Sequence, residues 1–151
     1  MNSFFYTYNN EALVSLVIIR LLKEVKNIEL ARIAAIIPIL LNDQSIETLN
    51  SGNCKTLKQF FREMPGNQLK YNSYYYAMLP ILINSLKIVV NSGFASFNKG
   101  KFYLIENNIS AINSDNIGTR YCEICATIPL FLSLVNKYPT EKIYELFKIR
   151  L

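Results

Sequence analysis

Apolar positions along this chain recur mostly three and four residues apart, which is the spacing of an amphipathic helix. The first such segment follows Asn9 or Asn10, either of which can cap it, and its apolar residues lie nearly all round the helix. In the second segment Pro38 disturbs the hydrogen-bond ladder, so we expect a kink or a new helix there. The pattern predicts helical segments at residues 10–26, 28–37, 56–64, 80–91, 119–137 and from 140 onward, a turn or two at 45–49, and a polar linker or mobile loop at 106–118.

Two short aromatic and β-branched segments interrupt this helical pattern and predict a β-hairpin. Residues 94–97 and 101–105 flank a turn that contains Gly100. Helices followed by such a hairpin form the skeleton of a winged helix-turn-helix, in which residues 80–91 would take the place of the recognition helix. We therefore predict one mainly α domain over residues 1–151, with a small β-hairpin and a winged-helix-like arrangement.

The predicted recognition helix and wing leave two uses open, DNA binding and protein docking. Lys87 lies in the helix, whereas Lys99 and Lys101 lie at the wing, where they could contact phosphate groups. A helix that reads bases usually carries several Arg, Lys, Asn or Gln side chains on one face, but Lys87 is the single cation in this one. Lysines at hairpin tips are also ordinary solvated turn residues. The pattern favours protein docking, and DNA contact through these lysines is the alternative.

The composition favours a protein that acts by contact over an enzyme. The 151 residues include no histidine, the commonest general acid or base near neutral pH and the commonest metal ligand. Hydrophobic residues make up 51% and charged residues 18%, against about 45–50% and about 25% in typical soluble domains, so we expect a partner to cover some surface. The five glycines are isolated, which excludes the usual phosphate loops. The net charge of +5 fits an acidic partner, although its lysines and arginines are scattered. We predict no catalytic residues and no cofactor.

The cysteines and the apolar segments predict a cytoplasmic protein. An odd count of three cysteines with no secretory signal points to a reducing compartment. Cys122 and Cys125 have CxxC spacing, but without a second such pair or a histidine we predict no metal and interpret them as one turn of a half-buried helix. The most apolar segment, residues 12–22, is broken by Ser15 and Arg20, so we expect no membrane span.

Aromatic residues supply the candidate partner interface. Four tyrosines between residues 71 and 76 could stack bases of single-stranded nucleic acid, but adjacent rings must point around the helix, so some face the core and others an interface. Both chain ends are also aromatic, and chain ends fray unless something holds them. The alternative is that both ends fold back onto their own core. The candidate interface residues are Tyr6, Tyr8, Tyr74, Tyr75, Tyr144, Phe147 and Arg150.

Three short patterns, with the central helix and hairpin between them, resemble one family. They are an Asn-x-Ala entry to the first helix, a Leu-Pro-Leu-Leu-like stretch, and a closing Thr-x-x-Ile-x-x-Leu-x-x-Ile-Arg pattern. The residues concerned are Asn10 and Ala12, then Ile37, Pro38, Ile39, Leu40 and Leu41, then Thr140, Ile143, Leu146, Ile149 and Arg150. In this order they resemble the middle component of three-component ABC-ATPase systems, the group that includes Lamassu-type antiphage defence.

The resemblance implies a small non-enzymatic adaptor in a bacterial antiphage or anti-plasmid complex. Such a subunit bridges an SMC-like ABC-type ATPase and a nuclease or other toxic effector of the same operon, contacts DNA indirectly through the complex, and needs no membrane. The chain departs from the family pattern at three positions: Glu11 stands where proline is common, Lys148 where glycine is common, and Leu151 in place of a final proline. The alternative function is a free-standing winged helix-turn-helix regulator that binds DNA.

Overall fold

The computed structural model describes residues 10–64, 67–112 and 117–151. Over these residues the chain is mainly helical with a small three-stranded antiparallel sheet, which confirms the predicted fold class. The elements are α1 (Glu11–Val25), β1 (Asn27–Glu29), α2 (Leu30–Leu40), α3 (Asp43–Asn50), α4 (Leu57–Glu63), α5 (Asn67–Asn91), β2 (Ala95–Asn98), β3 (Lys101–Leu104), a 3₁₀ helix (Glu106–Ala111), α6 (Thr119–Val135) and α7 (Thr140–Leu146).

Side-chain caps set the start of three helices. Asn10, Asn42 and Thr56 each accept a hydrogen bond from the backbone N–H three residues later, at 2.9, 3.0 and 3.1 Å. Of the two caps predicted for the first helix, Asn10 is the one observed. At α6, Gly118 stands at the cap position and Thr119 is the first helical residue.

A third strand joins the predicted hairpin. Residues 28–37 were expected to be one helix, but Asn27–Glu29 is a strand that pairs antiparallel with β3, with Ile28 opposite Phe102. Three residues are too few to show a period, so the pairing with the hairpin decided their conformation. The sheet order is β1-β3-β2. This order of helices and strands is compatible with a winged helix in which α3 and α4 are inserted between α2 and α5.

Prolines lie inside three helices without ending them. Pro38 lies in α2, Pro80 in α5 and Pro129 in α6. Of the two alternatives at Pro38, a kink or a new helix, the new helix is therefore wrong, and so is the expectation that a helix begins at Pro80. A proline removes one hydrogen bond of the ladder, but burial of the flanking apolar residues stabilises the helix on both sides. In α2 every residue from 33 to 40 is buried, and α5 begins 13 residues before Pro80, at Asn67.

The long helix α5 is central to the packing. It lies along α1 and also contacts α2, and α1 contacts α6 on another side. At the α1–α5 contact, the buried hydroxyls of Ser15 and Ser85 bond mainly to their own helices, donating to the carbonyls of Glu11 and Ile81 at 2.6 and 2.8 Å. Small, internally satisfied side chains let two helices approach closely without leaving a polar group unpaired.

Arg32 joins α2 to the corner between α6 and α7. Its guanidinium donates to the carbonyl of Val135, the last residue of α6, at 2.8 Å and to the carbonyl of Tyr138, just beyond the helix, at 3.0 Å. A cation here satisfies free carbonyls and complements the negative end of the helix dipole. Burial lowers the pKa of Arg32, and the nearby carboxylate of Glu29 opposes that shift. The contact holds the start of the closing helix α7 against α2.

The segment after the hairpin is more ordered than its polar composition predicted. Residues 106–111 form a 3₁₀ helix instead of an irregular loop, and Glu106 pairs with Lys26 at 2.7 Å. Asn108 donates from its side chain to the carbonyl of Gly93 at 2.8 Å. Gly93 has φ +77°, and a Cβ there would lie 3.0 Å from that amide nitrogen, so glycine is needed at this turn. Residues 113–116 of the predicted loop lie outside the described residues.

Candidate functional site

The two sides of α5 differ in what covers them. By length and composition alone, the stretch Tyr71–Asn91 is apolar enough to cross a membrane, contrary to the expectation that no segment is. Its buried side, however, packs against α1 and α2, and core helices of soluble proteins pass the same test. The buried residues recur at helical spacing: Tyr71, Tyr75, Met78, Leu82, Leu86 and Val89. The opposite side of α5 takes no part in this packing.

That opposite side is exposed along most of the helix and carries large apolar side chains. Ile83 is 52% exposed and Ile88 is 43% exposed, and Tyr76 is exposed nearer the start of the helix. Lys87 is the single charged residue in this row. The exposed positions are Ser73, Tyr76, Pro80, Ile83, Asn84, Lys87, Ile88 and Asn91. A helix face with one charge and several isoleucine or aromatic side chains is unusual for a surface that contacts only water.

The hairpin adds an aromatic pair beside this face. Phe97 on β2 lies directly opposite Phe102 on β3, and their ring centroids are 4.7 Å apart. Directly opposed residues share one face of a sheet, so both rings and Ile28 of β1 lie on the same side. Phe102 is buried, whereas Phe97 is 49% exposed. The exposed ring therefore extends the apolar surface of α5 onto the sheet.

An open groove of about 300 Å³ separates the last turns of α5 from the hairpin. Six of its eight lining residues are apolar. The lining residues are Leu30, Ile83, Leu86, Lys87, Val90, Asn91, Phe97 and Phe102. We call this feature the α5–hairpin groove.

The part of the chain that forms most of the groove contains basic residues and no acidic ones. No acidic residue occurs between Glu63 and Glu106, a stretch that includes all of α5, β2 and β3. Lys87 lines the groove and Lys99 is exposed at the hairpin turn with φ +48°. Lys101 differs from them, since its Nζ lies 4.0 Å from a carboxylate oxygen of Glu29 on β1. Of the three predicted phosphate-contacting lysines, Lys87 thus lines the groove and Lys99 lies at the turn of the hairpin, and neither has a carboxylate within 4.0 Å among the described residues.

The tyrosines of the first half of α5 contact the chain itself. The Tyr71 hydroxyl donates to the carbonyl of Ala35 at 2.8 Å, and burial holds the pKa of Tyr71 well above its usual value. The hydroxyls of Tyr75 and Tyr144 lie 3.4 Å apart, and Tyr144 also donates to the carbonyl of Ala31 at 2.7 Å. Burial, together with the hydrogen bond to Tyr75, raises the pKa of Tyr144. Tyr74 is half-buried beside them.

The closing segment is held by the same cluster. Phe147 is fully buried, with its ring centroid 5.0 Å from that of Phe61 and 5.4 Å from that of Tyr71. The backbone N–H of Arg150 donates to Asn72 Oδ1 at 3.0 Å, and its carbonyl accepts from Tyr76.

These contacts decide the placement of the predicted interface residues. Phe147 and Tyr75 are core residues, so their rings are not surface that a partner could cover. Tyr144 and the backbone of Arg150 tie the C-terminal segment to α2 and α5. At this end Phe147 folds back onto the core, as in the alternative, whereas the Arg150 side chain is exposed and its contact with a partner stays a prediction. Tyr6 and Tyr8 lie outside the described residues.

The three cysteines differ in how far they are buried. Cys122 is exposed and Cys125 half-buried on α6, and all three cysteines are free thiols. Burial and a hydrogen bond to Glu63 raise the pKa of Cys54 to about 11, so this thiol stays protonated near neutral pH. In the described part of the chain, no group of three or more His, Cys, Asp or Glu side chains could hold a metal ion.

The groove was not predicted, although the sequence contains two signals for it. One is the stretch without acidic residues, and the other is Ile83, an isoleucine between polar residues on the open side of α5.

Comparison with protein-family models, with curated proteins and with solved structures found no match to this chain. The surface itself and the short patterns of the sequence are therefore what indicates a function.

Proposed function

We propose that this chain is a non-enzymatic adaptor subunit whose α5–hairpin groove docks a partner protein. The observation that carries the proposal is the chemistry of the groove. In a winged-helix arrangement, this helix and hairpin would form the surface that faces DNA. Here the surface exposes Ile83, Phe97 and Leu30 beside one lysine. Apolar and aromatic side chains of this kind are typical of protein interfaces, where their burial stabilises the complex.

The proposed complex is that of the family the sequence resembles, a cytoplasmic defence complex of an SMC-like ABC-type ATPase and a toxic effector. The backbone conformation at two of the positions where the chain departs from the family pattern supports the resemblance. Glu11 is the first residue of α1 after its cap, the helical position that proline favours, and proline is common there in the family. Lys148 has φ +51°, a left-handed conformation that favours glycine, and glycine is common there in the family. At both positions the backbone conformation suits the family residue.

The alternative function is a free-standing DNA-binding regulator. Lys87 in the groove and Lys99 at the hairpin turn favour it, because both are exposed and could contact phosphates. The apolar side chains between them argue against it, since base edges are read by polar side chains and phosphates by cations or N–H groups. Lys101 has Glu29 at 4.0 Å, which offsets its charge. Protein docking accounts for more of the surface than DNA binding does.

Co-expression with the ATPase and effector encoded by neighbouring genes tests the proposal. We expect one complex that contains all three chains, measured by affinity purification and mass photometry. The isolated chain should aggregate or express poorly, because exposed apolar patches promote association. A chain that remains a monodisperse monomer and co-purifies with neither protein would contradict the adaptor role.

A DNA-binding variant separates the two functions. The triple change Lys87→Glu, Lys99→Glu and Lys101→Glu should leave the DNA affinity of the isolated chain nearly unchanged, because we expect that affinity to be low. A regulator would instead lose several phosphate contacts, and the salt dependence of its binding would flatten. Duplex DNA binding at physiological salt that the triple change abolishes would favour the regulator.

A further inference from the structure

We infer that the α5–hairpin groove binds an amphipathic partner segment whose apolar side chains are flanked by acidic residues. The inference rests on the proposed function and names the chemistry of the segment that the adaptor would dock. It comes from two independent features of the groove, the spacing of its apolar walls and the sign of the charge beside it.

The walls of the groove suit a short apolar ridge. Ile83, Leu86 and Val90 follow one another at spacings of three and four residues, so they form a continuous strip along α5. Phe97 and Phe102 form the opposite wall. A volume of about 300 Å³ lies at the low end of the roughly 300–1,000 Å³ of small-molecule pockets, so the groove has room for one or two large side chains. Helices commonly dock into such grooves through a few apolar side chains one turn apart.

The positive charge beside the groove favours a partner with acidic residues around that apolar ridge. Several cations elsewhere have acidic partners: Arg20 pairs with Glu24, Lys26 with Glu106, and Lys142 with Glu145. Among the described residues, Lys87 and Lys99 have no carboxylate within 4.0 Å. Two acidic side chains contact residues next to the lining: Glu29 lies 4.0 Å from Lys101, and Glu11 lies 3.5 Å from Asn84. A partner with carboxylates at the groove rim and beside the hairpin turn would complement Lys87 and Lys99, whereas a basic partner would be repelled.

Two synthetic helical peptides test this directly. Both carry leucines at positions i, i+3, i+4 and i+7, but the flanking residues are glutamate in one and lysine in the other. Binding to the full chain is measured by fluorescence anisotropy at low and physiological salt. We expect the glutamate peptide to bind at least about tenfold more tightly than the lysine peptide, with a difference that shrinks as salt screens the charges.

Two variants locate the binding site. Ile83→Glu should weaken the binding of the glutamate peptide by at least about tenfold, because it places a charge on the apolar wall. Leu130→Glu is the matched control, since Leu130 is an exposed apolar residue on α6, and it should leave the affinity unchanged. Lys87→Glu combined with Lys99→Glu should reverse the preference between the peptides. Circular dichroism melting checks that each variant is folded, which we expect because all these side chains are exposed.

Other results would overturn the inference. Equal binding of both peptides, no binding of either, or no effect of Ile83→Glu would each do so. Self-association of the chain that Ile83→Glu abolishes would identify a second copy as the occupant. Duplex DNA binding that the two lysine changes abolish, without peptide binding, would identify nucleic acid.

The adaptor role fails by a different result. If the chain never co-purifies with the ATPase or the effector although the glutamate peptide binds, the proposed function is wrong and the groove chemistry stands. If the three-protein complex forms and Ile83→Glu leaves it intact, the adaptor role stands and the groove is not its docking site.

Discussion

The two halves of α5 carry similar apolar and aromatic side chains but use them differently. In the first half, Tyr71 and Tyr75 are buried against α2 and the closing segment, with hydroxyls hydrogen-bonded inside the protein. In the second half, Ile83 and Ile88 remain exposed, and the hairpin places Phe97 across the groove from Ile83. The difference arises from the rest of the chain, because α2 and the C-terminal segment pack on Tyr71 and Tyr75, whereas the described residues leave Ile83 and Ile88 open.

This comparison changes the interpretation of the aromatic residues. Tyrosine and arginine are enriched at interfaces, which made the tyrosine cluster and the C-terminal segment candidates for partner contact. Of those residues, Tyr75 and Phe147 are buried in the chain's own core. The open apolar surface lies at residues that are less distinctive in the sequence, above all Ile83. For Tyr75 and Phe147, residue type alone therefore did not distinguish a side chain that can form an interface from one that is free to do so.

Removing a ring from the covered half should have the largest effect. Phe147→Ala deletes a fully buried side chain between Phe61 and Tyr71, and such changes cost about 3–5 kcal/mol of unfolding free energy. The matched change in the open half, Ile83→Ala, should alter stability by no more than about 0.5 kcal/mol. Urea unfolding of both variants measures the contrast. Equal costs would mean that the two halves are buried alike.

Removing one hydroxyl from the covered half should have a smaller and pH-dependent effect. Tyr71→Phe loses a buried hydrogen bond to the carbonyl of Ala35, which contributes about 0.5–1.5 kcal/mol near neutral pH. Tyr103→Phe, at an exposed tyrosine of the sheet, is the control and should change stability little. Chemical denaturation of both variants near pH 7 checks this contrast.

The pH dependence follows from the raised pKa of Tyr71. Since the folded-state pKa lies above the unfolded value of about 10, the stability from the protonated phenol is present below pH of about 10 and is lost as pH rises further. The wild-type chain should therefore lose stability on raising the pH above about 10, and Tyr71→Phe should lose less, so the two curves converge. Curves that stay parallel would show that Tyr71 ionises as freely in the folded chain as in the unfolded one.

A change in the C-terminal segment should have the smallest effect, and it should stabilise the folded chain. Lys148→Gly places glycine at φ +51°, where a residue with a Cβ is strained, and the expected gain is about 0.5–1 kcal/mol. Ala126→Gly, at an exposed position inside α6, should instead cost about 1 kcal/mol. Thermal unfolding of the two variants compares them. A loss of stability in Lys148→Gly would mean that the lysine side chain itself holds the segment.

Local chemistry in the sequence was enough to predict several elements. The turn around Gly100 predicts the hairpin, and the candidate cap at Asn10 predicts where the first helix begins. Apolar spacing predicts the helical segments and the mainly α class with its small β-hairpin. Each of these depends on residues within about one turn of one another, so the pattern contains all the information that the local structure needs.

Contacts between distant residues decided what the local pattern could not. Asn27–Glu29 became a strand because β3 lies beside it, and α5 continues through Pro80 because α1 and α2 cover one of its sides. The sequence alone determined which residues are apolar, aromatic or basic, including the stretch from residue 64 to 105 without an acidic side chain. Only the tertiary structure decided which of them the chain covers itself, because burial depends on what packs against a side chain, and for Phe61, Tyr71 and Phe147 that is a residue far away in sequence.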